Sequence, residues 1–152
     1  QALELAFPGF EQKLNYPIQF QEIEPEQARP VLGLQWQTAA NHHSQRSLAA
    51  KIDDGERKIF YSGDGRPTEE TLALAHGCDL IIHEAFHLEE ETAGHGSVRG
   101  CLHFARRAGV AHLGLVHLER HTRGRRHELE RMVAEAAALN VFVPQPGDEF
   151  HV

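Results

Sequence analysis

The stretch "YSGDGRP" (61–67) sets one carboxylate, Asp64, between two glycines at the point where a predicted strand ends. The alternating segment "RKIFYSG" (57–63) leads into it, and "TEETLALAHG" (68–77) follows with the pattern of a helix. In open α/β sheets, ligands bind beyond the ends of strands, where loops are free of sheet hydrogen bonds. The small residues around Asp64 leave room for an ion, so the loop is predicted to be functional.

A run of alternating segments followed by strand–helix alternation predicts the fold class. Period-two alternation predicts half-buried strands, and Asp54-Gly55 is typical of a hairpin turn. The predicted strands of this first part are 17–24, 33–40, 47–54 and 57–63. The elements predicted after them are helices 68–77, 97–109 and 123–140, strands 79–85 and 112–119, and terminal strands within 141–152. This order indicates a layered α/β domain.

Composition limits the class of protein. The 152 residues suffice for one domain with a core, and 41% of them are apolar. A net charge of −7 does not favour bulk binding to nucleic acid. No apolar run approaches the roughly 18 residues of a membrane-spanning helix, so none is predicted. Two cysteines without a CxxC motif are predicted to be free buried thiols, which favours the cytoplasm.

Four polar residues stand where predicted strands end, and together they indicate a metal site. His43 precedes a strand, Asp64 and Glu84 end two strands, and His117 follows an apolar run. Two imidazoles and a carboxylate suit zinc, manganese or iron. Each residue alone has an ordinary alternative, because Asp64 can cap a turn and His43 and His117 can be loop or strand-end histidines. The joint arrangement is less easily explained in that way.

Five ordered motifs resemble one family. They are "NHHSQRSLAAKI" (41–52), "IFYSGDGRP" (59–67), "CDLIIHEAFH" (78–87), "AGHGSVRG" (93–100) and "LGLVHLERHTR" (113–123). The series resembles the C-terminal half of the metallo-β-lactamase superfamily, and within it the ribonuclease Z and phosphodiesterase branch. The resemblance implies half of a four-layer αββα fold, a mixed sheet with helices on one face, as a single domain over 1–152. The family signature His-x-His-x-Asp-His does not occur here, so we expect the N-terminal half to be missing from the chain.

The resemblance also implies roles for individual residues. His43 matches the third histidine ligand, His117 the last one, and Asp64 the carboxylate that bridges two divalent metal ions. Zinc is the expected metal, with manganese or iron as alternatives. Glu84 and His95 match the family's proton-transfer pair, and His83 the neighbour that helps to orient them.

Substrate-binding residues are predicted from the basic side chains next to these motifs. Arg66 lies beside Asp64, and Arg120 and Arg123 follow His117. Guanidinium groups match the geometry of phosphate oxygens, so these residues are expected to meet a phosphate. The alternative is that they belong to a solvated helix start.

The predicted function is that of a metal-dependent, phosphodiesterase-like hydrolase, with the fragment alone expected to be inactive. Asp64 follows His43 by 21 residues, whereas ribonuclease Z proper has a long insertion there that grips tRNA. A small phosphodiester-type substrate is therefore expected rather than tRNA, with no membrane partner and a homo-oligomer left open. The alternatives are a hydrolase of a thioester or lactone, a truncated or degenerate non-catalytic domain that binds a partner, and an iron-dependent redox protein.

Overall fold

One mixed sheet organises the part of the chain that the computed structural model describes, which is residues 7–18, 22–25, 27–90 and 92–151. The strands are β1 (Arg29–Val31), β2 (Leu34–Ala40), β3 (Leu48–Asp53), β4 (Lys58–Tyr61), β5 (Leu80–Glu84), β6 (His112–Val116) and β7 (Asn140–Phe142). The helices are α1 (Glu69–Ala75), α2 (Val98–Ala108), α3 (Arg120–Gly124) and α4 (Arg126–Ala134), after a 3₁₀ turn at Glu11–Lys13.

The strands lie in the sheet in the order in which they occur in the chain, β1 to β7. Strands β1 to β4 pair antiparallel, and β4 to β7 pair parallel. A tight turn joins β3 to β4, where the Asp54 carboxylate accepts hydrogen bonds from the backbone N–H groups of Glu56 and Arg57 (2.9 and 2.7 Å). Parallel neighbours need longer crossovers, and the helices supply them.

The helices form a layer on the sheet. Helix α1 contacts β2 and β3, α2 contacts β5 and β6, and α2 also contacts both α1 and α4. Strands β4 to β7 are parallel and lie in the sheet in chain order. Right-handed crossovers therefore place their connecting helices on the same face of the sheet. The predicted mixed sheet with helices is therefore confirmed. No helix in the described ranges has both the length and the apolar content that crossing a bilayer requires.

The core lies between this layer and the sheet. Phe60, Ile81 and Leu113 are paired across β4, β5 and β6, and each is 0% exposed. Burying a side chain of this size contributes roughly 1.5–3 kcal/mol. The opposite face also carries apolar residues, but Ile82 is only half-buried and Tyr61 is 47% exposed. Both cysteines are buried, as predicted.

Two helices begin and end as predicted, because their capping residues satisfy backbone groups at the termini. Thr68 and Thr71 form a reciprocal capping box at the start of α1. The Ser97 hydroxyl accepts a hydrogen bond from the Gly100 N–H (3.0 Å) at the start of α2. Gly109 ends α2 with φ 70°, a left-handed conformation that glycine adopts without cost.

The predicted helix over 123–140 is wrong in extent. Arg125 (φ −89°, ψ 47°) leaves the helical conformation and separates α3 from α4. Beyond α4 the amides of Ala136 and Leu139 bond to carbonyls three residues back, in turns that lead into β7. An amphipathic pattern registers the buried stripe but not these local breaks.

Two other strand predictions need correction. Of the strand predicted over 17–24, residues 19–21 lie outside the described residues, and 17, 18 and 22–24 are not in a strand. In the terminal segment, the strand is confined to Asn140–Phe142. Pro17 stands at the start of the first segment, and Pro144 and Pro146 follow β7; proline has no N–H to donate to a sheet.

Candidate metal and catalytic site

The sheet topology brings the predicted site segments to one edge. Strands β2, β4, β5 and β6 all run in the same direction, because β2 and β4 are both antiparallel to β3. The loops that follow them therefore lie at the same end of the sheet. Two of these loops are joined directly, since the backbones of His42 and Arg66 exchange hydrogen bonds (3.2 and 3.0 Å).

The His95 imidazole contacts two other predicted imidazoles at this edge. The His95 ring lies 5.2 Å from the His43 ring and 5.5 Å from the His117 ring, measured between centroids. The Glu84 carboxylate lies 3.6 Å from Nδ1 of His95. We call these four residues (His43, Glu84, His95 and His117) the strand-end cluster. The segments that supply them are up to 74 residues apart in the chain.

His117 reaches the cluster through an unusual backbone conformation. Strand β6 ends at Val116, and His117 has φ 59°, in the left-handed region that residues other than glycine seldom occupy. Such strain persists where surrounding contacts determine it, and it is concentrated at functional sites. Here the His117 ring contacts both His95 (5.5 Å) and Phe86 (5.7 Å).

Glu84 connects the loops that carry the other residues. Its side chain is 1% exposed, and its Oε1 accepts hydrogen bonds from the backbone N–H groups of Gly96 (2.6 Å) and Gly65 (3.3 Å). Burial raises the pKa of the Glu84 carboxyl, against the lowering effect of the Gly96 amide and of His95. Its Oε2 and the His95 Nδ1 are both buried, and neither has a hydrogen-bond partner among the described residues.

Asp64 lies in the loop next to the cluster. Gly65, its neighbour, donates to Glu84, and the Asn41 side chain donates to the Asp64 carbonyl (3.4 Å). Close packing requires glycine at 65, because an added Cβ would lie 2.7 Å from the Cβ of Asn41. The Asp64 side chain is exposed and makes no ion pair within the described ranges. The structure thus places Asp64 at the predicted edge.

His83 is the predicted site residue that the structure does not bring to the cluster. It precedes Glu84 in β5, so its side chain points to the opposite face of the sheet. The ring is 0% exposed, and it packs on Phe60 and Phe104 at centroid distances of 6.2 and 5.2 Å. Its Nδ1 lies 2.8 Å from the Glu84 carbonyl oxygen. Burial lowers the pKa of His83 to about 4, so the ring is neutral at pH 7.

The predicted phosphate-binding arginines lie on two sides of the edge. Arg66 is two residues beyond Asp64 and is held by its backbone pairing with His42. Arg120 and Arg123 are exposed in α3, after His117.

Sequence reasoning missed an aromatic residue that packs against the strand-end cluster. The Phe86 ring stacks on His95 at 4.7 Å and also contacts the rings of His87 (4.9 Å) and His117 (5.7 Å). Its position directly after "HEA" (83–85) in a predicted strand end was the available signal. Phe86 thus supports the two cluster imidazoles of His95 and His117.

The donor types of this edge fit a divalent cation, whereas their present arrangement does not enclose one. Two imidazoles and a carboxylate are ligands that zinc prefers. No group of three histidine, cysteine, aspartate or glutamate side chains among the described residues is positioned to hold a metal ion. The Gln45 N–H donates to Nδ1 of His43 (3.2 Å), so Nε2 carries the ring proton in the neutral form. A cation at Nδ1 would displace the Gln45 N–H, and a cation at Nε2 would require the ring proton to move to Nδ1, so either mode breaks the contact with Gln45.

The geometry defines the class of protein: a mixed α/β sheet with imidazoles and carboxylates at its strand ends. The family model of the beta-lactamase superfamily domain matches residues 1–118, and the chain belongs to that superfamily. This confirms the resemblance that the five motifs predicted.

Curated relatives are similar over part of the chain. The chain is 32% identical over 97 residues to the Ribonuclease Z of Natronomonas pharaonis and 36% identical over 102 residues to that of Gemmatimonas aurantiaca. These matches cover 60% and 63% of this chain and 32% of each relative. The matched segment thus spans about a third of the length of those relatives.

Solved structures share the fold. The metallo-beta-lactamase fold protein YhfI from Bacillus subtilis superposes with a TM-score of 0.75 at 23% identity, over 95% of this chain and 61% of that one. Human tRNase Z, short form, gives a TM-score of 0.54 at 22% identity, over 61% of this chain and 39% of that one. These likenesses confirm the predicted fold, of which the chain covers about half.

Proposed function

We propose that this chain carries part of the active site of a metal-dependent hydrolase that cleaves a phosphodiester. The observation that carries the proposal is the convergence of His43, Glu84, His95 and His117 at one sheet edge, next to Asp64. Membership of the beta-lactamase superfamily supports a hydrolytic reaction. Its free, buried cysteines fit a cytoplasmic enzyme.

His43, Asp64 and His117 are the residues that would hold two divalent metal ions, together with ligands outside this set. Zinc fits their nitrogen and oxygen donors best, and manganese or iron remain alternatives. The chemistry that such ions supply when bound is activation of water at neutral pH and neutralisation of charge on phosphoryl oxygens. Asp64 offers two carboxylate oxygens on an exposed loop, which suits a bridging ligand.

Glu84 and His95 have separate tasks in this proposal. Glu84 accepts the amides of Gly65 and Gly96, and it thereby fixes the loops of Asp64 and His95. Its Oε2 lies 3.6 Å from Nδ1 of His95 and would hold a proton on that atom. His95 then delivers a proton to the leaving oxygen, a form of acid catalysis worth roughly 10²–10⁴-fold. His83 acts indirectly, since it bonds to the Glu84 carbonyl from the core.

We propose a small phosphodiester as the substrate, with Arg66 and Arg120 on its phosphate. The chain between His43 and Asp64 forms only β3, a tight turn and β4, which leaves no arm to grip a large RNA. The curated relatives are named Ribonuclease Z, which favours RNA as the second candidate. Turnover of bis(p-nitrophenyl) phosphate and of a precursor tRNA by the complete protein separates the two. Cleavage of the precursor alone would contradict the small-substrate proposal.

The substitution Asp64→Ala in the complete protein tests the site. We expect loss of bound metal by elemental analysis and at least a 10³-fold loss of turnover of bis(p-nitrophenyl) phosphate, because metal activation of the nucleophile is removed. Glu56→Ala is the matched control, since Glu56 is an exposed carboxylate in the β3–β4 turn. Metal loading and turnover that survive Asp64→Ala would contradict the assignment of Asp64 as a ligand. Absence of both from the unaltered complete protein would favour the alternative, a non-catalytic domain that binds a partner.

A further inference from the structure

An apolar cavity of about 980 Å³ adjoins the strand-end cluster. It lies between the end of β6, the helix α4, the strand β7 and the segment 143–146. Its walls include Leu115, Leu129, Val133 and Val141, and His117 is among the residues that line it. Since His117 also contacts the His95 ring, the cavity and the candidate site share this residue.

The charged side chains that line the cavity are Arg123, Arg126 and Glu130, and together they carry a net positive charge. Arg123 and Arg126 line it and are exposed, so their charges lie on its solvent side. Arg126 is occupied by an ion pair with Glu130 (2.8 Å). The guanidinium of Arg123 has no ion-pair or hydrogen-bond partner within the described part of the chain. An available cation next to an apolar wall suits a ligand with an anionic head and an apolar arm.

We propose that this cavity binds the apolar arm of an anionic ester substrate, an alkyl or aryl group whose phosphate lies at the His117 end of the cavity, where Arg123 adds its charge to that of Arg66 and Arg120. The inference rests on the proposed phosphodiesterase function and narrows its substrate class. The volume lies in the range of roughly 300–1,000 Å³ that is typical of small-molecule pockets. A cyclic phosphate of a few atoms would leave most of it empty, whereas an alkyl or aryl diester fills it.

Kinetics on a homologous series tests the proposal in the complete protein. For alkyl p-nitrophenyl phosphates from methyl to hexyl, we expect kcat/KM to rise at least about tenfold, because each added methylene leaves water for the cavity. Val133→Trp fills the cavity, so kcat/KM should no longer rise along the series. Arg131→Trp is the matched control, because Arg131 is exposed on the same helix and does not line the cavity. A rise that is equal in both variants would overturn the proposal.

Calorimetric binding of octyl phosphate separates this inference from the proposed reaction. We expect octyl phosphate to bind at least tenfold more tightly than inorganic phosphate, Val133→Trp to remove that difference, and Arg123→Gln to weaken binding severalfold. If the complete protein hydrolyses no diester, the proposed reaction is contradicted. If Val133→Trp nevertheless abolishes octyl phosphate binding, the cavity assignment is still supported. Equal binding of both phosphates by the unaltered protein would overturn the cavity assignment. Val143→Trp, on the opposite wall, serves if Val133→Trp fails to fold.

Discussion

At the scale of single residues, the buried Glu84 carboxylate accepts hydrogen bonds from two loops of the site. Glu84→Leu keeps the side-chain volume but leaves the amides of Gly65 and Gly96 without their acceptor. Each of the two lost hydrogen bonds costs about 1.5–3 kcal/mol, and relief of the buried carboxyl offsets part of this loss, so we expect the free energy of unfolding to fall by about 3 kcal/mol. Urea denaturation measures it. Glu70→Leu, on the exposed side of α1, is the control, and an equal small loss in both variants would refute the role of Glu84.

His83 gives a pH dependence whose direction follows from its burial. The pKa of His83 is lowered to about 4 in the folded state from an ordinary value of 6.5. Between these pH values the unfolded chain binds more protons, so stability rises with pH through this window and falls as the solution is acidified. We expect His83 to contribute a loss of about 3 kcal/mol in the free energy of unfolding between pH 6.5 and pH 4, which urea denaturation measures.

The variant His83→Phe isolates this contribution. Phenylalanine suits the aromatic surroundings of Phe60 and Phe104 and does not titrate. The raised pKa of Glu84 makes stability fall as the pH rises, and it does so in both proteins. The difference between their pH slopes therefore reports the contribution of His83. His127→Phe is the control, because the His127 side chain is fully exposed. A pH slope that His83→Phe leaves unchanged would show that burial of His83 does not cause it.

The residue scale also shows what strand periodicity can predict. His83 and Glu84 are adjacent in a predicted strand, and side chains alternate between faces, so they could not both face the cluster. The resemblance assigned them to one site, and the strand pattern separates them. His43 and His117 were placed at strand ends from the sequence, but the left-handed backbone of His117 was not foreseeable, because long-range ring contacts stabilise it.

At the scale of elements, helix α2 begins where the His95 loop ends. Ser97→Ala removes the hydroxyl that accepts the Gly100 N–H, and we expect a loss of about 1 kcal/mol in the free energy of unfolding. Thermal denaturation of Ser97→Ala and of the matched variant Ser97→Thr, which keeps a capping hydroxyl, measures it. Equal stability of the two variants would mean that the cap contributes nothing.

Most elements followed from local signals, and the failures had local or long-range causes. Strands β2 to β6 and helices α1 and α2 were predicted because alternation, caps and terminal glycines agree there. The break at Arg125 and the short β7 were missed, since a period of 3.6 residues reports the buried stripe and not its interruptions. Prolines 144 and 146 were the signal that a long terminal strand could not form.

At the scale of the whole molecule, the topology of the sheet determines where the site residues lie. Strands β2, β4, β5 and β6 share a direction, and this alone brings residues 43, 64, 84 and 117 to one edge. The sequence predicted that convergence through its strand ends. It did not predict the cavity beside His117, because the cavity forms only when α4 and the segment 143–146 close on the end of β6.

The measurement that tests the central claim most directly is anomalous diffraction at the zinc edge from crystals of the complete protein grown with zinc. The account predicts anomalous peaks with a nitrogen of His43, a nitrogen of His117 and a carboxylate oxygen of Asp64 each within about 2.0–2.2 Å. Fully ordered His43, Asp64 and His117 side chains with no anomalous peak beside them, or peaks bound only by other residues, would contradict it.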